Sequence, residues 1–159
     1  MKQNKFQEAA KDFEKSLKLD EFSPLALAGL GIVRVLEGKT DAGIKLVEDK
    51  RKDFVNDRMF AYNTACVYGR ALERVKKDEQ AVDRDKKITQ YTEQALADLN
   101  RSVKLGFKDF KWMKKDPDLN SLHELEKFKK LHSPGGAADE KKKEAKAETA
   151  TGAAADDAP

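Results

Sequence analysis

Histidine and cysteine are almost missing from this chain, with two His and one Cys among 159 residues. The single thiol, Cys66, excludes an internal disulfide and suits a reducing compartment. His123 and His132 belong to no His-Glu-x-x-His helix and to no cysteine-rich cluster, so a zinc-type ligand set is absent from the sequence. No apolar run approaches the roughly 20 residues of a membrane span, and the opening MKQNKFQEAAKDF lacks the hydrophobic stretch of a secretion signal. Arginine is sparse as well, at 7 against 25 Lys, and the lysines are interspersed with acids instead of massed. That pattern describes a solvated helical surface and argues against a nucleic-acid groove. The expectation is a soluble cytoplasmic protein with no membrane contact and no cofactor.

What the chain does have is apolar residues at helical spacing. Phe6, Ala9, Ala10, Phe13 and Leu17 form one stripe. A second runs through Leu25, Ala28, Ile32, Val35 and Leu36, and a third through Ile44, Leu46 and Val47 with Phe54. Pro24 suits a first helical turn, Gly38 a helix end, and Thr40 or Asp41 a following cap. Nothing alternates convincingly as a strand. From Ser133 onward the sequence holds no aromatic residue and no Leu, Ile or Val, so it cannot offset the entropy of ordering and is expected to be disordered and dispensable for folding. The body without this tail holds 28 basic and 23 acidic residues, a modest positive excess.

Small and apolar residues recur at an offset of 34: Ala9 with Gly43, Phe13 with Val47, Leu27 with Ala61, Gly31 with Ala65. Small residues at matched points let two helices approach, and large apolar residues one turn later fill the space to the next unit. A third copy, Ala95, Leu99 and Ser102, follows the second by 52 residues, which leaves an insertion of 18 containing RVKKDEQAVDRDKK. That charged segment reads as an overlong first helix followed by a loop.

With these residues the chain resembles the tetratricopeptide repeat family, whose units are antiparallel helix pairs of this period. The first-helix signature is carried by Leu27, Leu30 and Gly31 and again by Ala61, Ala65 and Tyr68; the second-helix signature by Phe6, Ala9 and Phe13, then Gly43 and Val47. Residues 62–131 are similar to the closing module at the C-terminal end of many bacterial repeat proteins, including the repeat regions of some membrane-anchored serine/threonine kinases. Tyr62, Asn63, Ala65, Cys66 and Tyr68 carry that match, with Gly106, Phe107, Asp116, Pro117, Leu119 and Leu122 after them. The resemblance implies an all-α, short solenoid of antiparallel helix pairs with about seven helices. Its expected plan is a half repeat over 1–20, a full repeat over 24–57, a repeat with the insertion over 58–105, closing helices over 108–131 and a disordered low-complexity tail over 132–159.

Converging catalytic groups are few. Gly29 and Gly31 lack the third glycine and the preceding strand of a phosphate loop, and Cys66 has no His near it in sequence. Asp116, Asp118 and Asn120 open like a calcium loop, yet Ser121 replaces its turn glycine and Lys127 its closing glutamate. Asp116 followed by Pro117 reads better as a helix cap with Pro in the first turn. Asn100, Arg101 and Ser102 spell a glycosylation sequon inside a predicted helix.

The sequence therefore points away from an enzyme and toward an adaptor or scaffold. In the family the first helix of each unit lines the concave face, which here implies Leu25, Ile32, Val35 and Leu36, then Met59, Tyr62, Asn63, Cys66 and Arg70. Asn63 and Arg70 are too few for a carboxylate clamp, so an apolar groove for an amphipathic helix or extended peptide is expected, with Met59 and Tyr62 as anchors. The chain's own closing segment is the other candidate for that groove. Because the chain opens in the second helix of a unit, Phe6 and Phe13 lack the helix that would cover them, and this edge is expected to bind a second copy or a partner helix. The alternative is that the sequence is the solenoid-closing fragment of a larger signalling or assembly protein.

Overall fold

The structure, a computed structural model, describes the backbone of residues 2–132 and side chains from residue 5 onward. The expected tail, apart from His132, lies outside the described residues. His132 itself packs its ring against Phe128, with centroids 5.4 Å apart.

Among the described residues every regular element is helical: α1 (Lys2–Leu19), α2 (Pro24–Leu36), α3 (Thr40–Lys50), α4 (Arg58–Lys77), α5 (Arg84–Lys104), α6 (Phe110–Met113), a 3-10 helix (Pro117–Leu122) and α7 (Glu126–Leu131). All but the one-turn α6 pack along a neighbouring helix, and the loops of 20–23 and 37–39 are short enough to force antiparallel pairs. Helices α2 and α4 begin 34 residues apart, at the offset read from the sequence, and lie side by side with Gly31 against Val67. The expected all-α architecture of stacked helix pairs is what the chain adopts.

Local chemistry explains the ends. Ser23 accepts a hydrogen bond from the Ala26 N–H and Pro24 occupies the first turn of α2. Gly38, at φ +92°, closes the helix: its N–H reaches the Val35 carbonyl while the Lys39 N–H reaches that of Arg34. Gly106, at φ +99°, ends α5 in the same way, with the Phe107 N–H on the Ser102 carbonyl. Asp57 caps α4 by accepting from the N–H groups of Met59 and Phe60.

Three expectations need correction. Thr40 and Asp41 do not cap α3 but lie in its first turn, where the Asp41 charge favours the helix dipole. Phe54 is outside α3; it sits buried in the following loop and stacks on Phe60 with ring centroids 4.5 Å apart. The inserted charged segment extends both helices of its pair. Residues 74–77 finish α4, 78–83 form the loop and 84–87 begin α5, because helix-forming residues flank a turn-forming stretch on both sides.

α4 is the hub, with 12 of its 20 residues buried between α2, α5 and the 3-10 helix. An ion pair between a half-buried arginine and a buried aspartate fastens the far side. Arg51, just after α3, donates from Nη1 and Nη2 to the two Asp98 oxygens of α5 at 2.5 and 2.9 Å. Arg51 also holds Glu48, which accepts from the Tyr68 hydroxyl at 2.8 Å. Burial pushes the Glu48 carboxyl upward, but the hydrogen bonds from Arg51 and Tyr68 outweigh it and hold it below its usual range.

Helix spacing rests on two glycines. A Cβ on Gly43 would lie 2.5 Å from the Gly31 carbonyl oxygen, and one on Gly31 would lie 3.1 Å from that of Gly43 and 3.1 Å from Val67. Alanine gains about 1 kcal/mol of helix propensity over glycine, but here the obstacle is backbone, which cannot rotate away. We expect Gly43→Ala to destabilise the chain by about 1–3 kcal/mol through overpacking, with Gly31→Ala costing less. Urea unfolding followed by circular dichroism measures both, and a Gly43→Ala chain as stable as wild type would show that α2 and α3 are not in backbone contact.

Candidate functional site

The face of α2 and α4 that the repeat reading assigns to binding is split in two by the chain's own closing segment. Toward the C-terminal half of α4 the face is covered. Gly69 allows the 3-10 helix onto α4 so closely that a Cβ there would overlap the Asp118 carbonyl oxygen. The Ser121 hydroxyl donates to the Gly69 carbonyl at 2.9 Å, and Lys76 donates to the Ser121 carbonyl at 3.1 Å. Leu119 and Leu122 are fully buried beneath.

Asp116 locks this segment. Its Oδ1 accepts from the Asp118 N–H at 2.9 Å, which caps the 3-10 helix, while Oδ2 accepts from the Tyr62 hydroxyl at 2.7 Å and the Cys66 thiol at 3.7 Å. Asp118 in turn accepts from Arg70 Nε at 2.6 Å, and Arg70 Nη1 donates to Glu73. Burial, reinforced by the charges of Asp116 and Asp118, pushes the Cys66 thiol well above its ordinary value of 9.0. Burial likewise raises the Tyr62 phenol, with Cys66 and Asp116 adding to it. Cys66 is thus an enclosed thiol whose proton is favoured by burial and by the two neighbouring carboxylates. One ligand atom from each of Cys66, Asp116 and Asp118 falls within 4.8 Å of the others, yet each is already engaged by a protein hydrogen bond. The cluster is a structural latch. The calcium-like spacing of Asp116, Asp118 and Asn120 resolves into this cap.

Toward the N-terminal ends of the same helices the face stays open, as a groove of about 700 Å³. α2 contributes Leu25, Ala28 and Ile32, and α4 contributes Met59, Tyr62 and Asn63. The far wall is Phe107, Lys108 and Trp112, with Asp116 at its base. Phe107 stacks on Tyr62 with ring centroids 4.4 Å apart, so the latch and the wall are one assembly.

The sequence-predicted residues therefore separate. Leu25 and Met59 stand on the rim at 70% and 42% exposure, with Ile32 and Asn63 half-buried between them. Tyr62 and Cys66 line the groove but are buried and spend their polar atoms on Asp116, so Tyr62 is a wall and not a free anchor. Val35 is 1% exposed and reaches toward Gly43 of α3, which makes it core. Leu36 and Arg70 are half-buried in a separate shallow depression with Arg74 and Lys77. Phe6 and Phe13 are half-buried against α2 beside Ala10, Leu30 and Val33; the stripe is partly covered by the next helix and not fully open. Sequence reasoning missed Phe107, Lys108, Trp112 and Arg58 as groove residues. Trp112, the single tryptophan, lying among lysines in FKWMKK, was the available signal.

Comparison with known proteins finds no matching family model, no matching characterised protein and no matching solved structure. Among the described residues no helix is long and apolar enough to cross a membrane.

The latch makes two measurable claims. Gly69→Ala should lift the closing segment and raise the rate of Cys66 labelling by a thiol reagent roughly tenfold or more, with most helical circular dichroism retained; unchanged labelling would mean that the segment is not held at Gly69. The second claim concerns alkali. Cys66, Tyr62, Tyr68 and Tyr91 keep their protons in the folded state beyond the pH at which the unfolded chain loses them. The unfolded state then binds fewer protons, so stability falls as pH rises through the ordinary values of 9.0 for Cys and 10.0 for Tyr. Melting temperature measured between neutral pH and those values should decline, and less steeply in Cys66→Ala.

Proposed function

We propose that this chain is a non-catalytic adaptor of the tetratricopeptide type, which holds a short peptide segment of a partner protein in the open half of its concave groove. The observation that carries the reading is the groove itself, with large apolar side chains left exposed around a hollow: Leu25, Met59 and Trp112, the last at 51% exposure. Isolated exposed apolar residues are ordinary, but three converging on one concavity form a contiguous patch of the kind that marks an interaction site. Its volume falls in the range of about 300–1,000 Å³ typical of ligand pockets, which suits a few side chains and not a whole domain. Supporting the repeat reading are the 34-residue offset of α2 and α4, the paired small residues Gly31 and Gly43, and the closing segment that shields the last repeat. A closing segment of this kind prevents open-ended stacking, and the same latch builds one wall of the groove.

Trp112 supplies the test, because it is the one tryptophan of the chain and lines the groove. Peptides selected from a random display library against the full chain should shift its fluorescence to shorter wavelength as they fill the hollow. The double variant Leu25→Glu with Met59→Glu, at two exposed positions, should weaken those peptides by more than about tenfold, as expected where apolar anchors are replaced by charge. Selected peptides that leave Trp112 unshifted and bind the double variant equally well would place binding elsewhere and end this reading.

A further inference from the structure

The groove has a charged rim, and its charges come from the closing segment as well as from the repeat helices. Arg58 and Lys108 line the groove, and Lys111, Lys114 and Lys115 follow on the short segment that carries Trp112. All five are exposed, and among the described residues none makes an ion pair. Of the acids of the same segment, Asp116 is buried under Tyr62 and Cys66 and Asp118 is paired with Arg70, while Asp109 caps α6 by accepting from the Trp112 N–H and stays exposed at the groove beside Lys108. Segment 107–118 thus turns two of its three carboxylates inward and leaves four exposed lysines, Lys108 at the apolar hollow and the other three along the stretch that carries the half-exposed indole, an excess of positive charge over the one exposed Asp109.

Resting on the groove reading above, we propose that the occupant is an acidic, amphipathic peptide segment, with apolar side chains on Leu25, Ile32 and Met59 and Asp or Glu side chains on Arg58, Lys108 and the lysines flanking Trp112. Charge complementarity selects this class. An unpaired cation at a rim attracts carboxylates, speeds encounter and disfavours basic partners, while the apolar floor supplies affinity. The shape selects it further, because a flat lipid surface cannot reach a floor lying between two helices. Lysine point charges beside one tryptophan also fall short of the run of stacking faces that a single-stranded nucleic acid uses.

The experiment is a display selection on the full chain with random peptides, repeated on two variants whose helical content is checked by circular dichroism. Arg58→Gln with Lys108→Gln removes rim charge at exposed positions; Leu25→Glu with Met59→Glu, the floor variant, sets two carboxylates at the apolar side chains that border the floor. Wild type should enrich peptides in which Asp or Glu flank apolar residues, with affinity falling at least about threefold when salt is raised from low to several hundred millimolar. The rim variant should bind them about tenfold more weakly with a flatter salt dependence, and the floor variant should lose them. Enriched peptides without an acidic excess, unaffected by the rim variant but lost by the floor variant, overturn the acidic assignment and leave the groove reading standing. Peptides unaffected by the floor variant overturn both. Phosphatidylcholine vesicles carrying about 30% phosphatidylserine, and a poly-dT oligonucleotide, serve as competing probes. Tighter binding to either than to the selected peptides, lost in the rim variant, would assign the cations to a lipid surface or a nucleic acid and overturn the proposal.

Discussion

The separation between α2 and α3 governs everything built on them. Gly31 and Gly43 face each other with carbonyl oxygens where side chains would otherwise stand, so the two backbones meet at a distance that no larger pair permits. That contact sets the width of one hairpin, and the width decides whether α2 can also lie flat against α4. It does, through Gly31 on Val67, and α4 in turn carries α5 on one side and the closing segment on another. Loosening the glycine pair would tilt α2 and reshape the floor of the groove, although neither glycine touches the groove's open space.

A second constraint works by hydrogen bonding. Tyr62, Cys66 and the Asp118 N–H converge on one buried carboxylate, that of Asp116, and an unpaired carboxylate in that position would be costly. Each donor comes from a different turn of α4 or of the closing segment, so the segment has one seating in which Asp116 is satisfied. Gly69 removes the side chain that would block that seating, and Arg70 takes the remaining acid, Asp118. Polar satisfaction thus specifies position while Leu119, Leu122 and Met113 supply the burial. The same seating swings Phe107, Lys108 and Trp112 into place as a wall. The protein's stability and its candidate binding surface therefore share one set of atoms.

Much of the fold was legible because it depends on periodicity. The helical stripes, the 34-residue offset and the small residues at matched points each follow from contacts that repeat along the chain, and Pro24 and Gly38 act through backbone torsions that need no distant partner. The insertion was harder to place. Its residues favour helix on both flanks of a turn, and only packing of α5 along the full length of α4 decides that both flanks are helical. The lining of the groove was legible in part. Leu25, Ile32, Met59 and Asn63 followed from the face that the repeat resemblance implies, whereas Val35 and Tyr62 share that face and are withdrawn by neighbours that lie elsewhere in sequence.

By itself the sequence determined that the chain is helical, where α2 begins and ends, which residues repeat, and that Cys66 has no disulfide partner within the chain. These are consequences of composition, backbone preference and spacing, and they act within a few turns. Only the tertiary structure decided that part of the face formed by α2 and α4 is closed by the chain itself, that Asp116 holds the closing segment against Tyr62 and Cys66, and that Trp112 and Lys108 join Leu25 and Met59 around one hollow. Tyr62 and Asp116 stand 54 residues apart in sequence and 2.7 Å apart in space. Contacts of that range carry no periodic signature, because they depend on where a nonrepeating segment comes to rest, and that is set by steric room at Gly69 and by the pairing of buried charge.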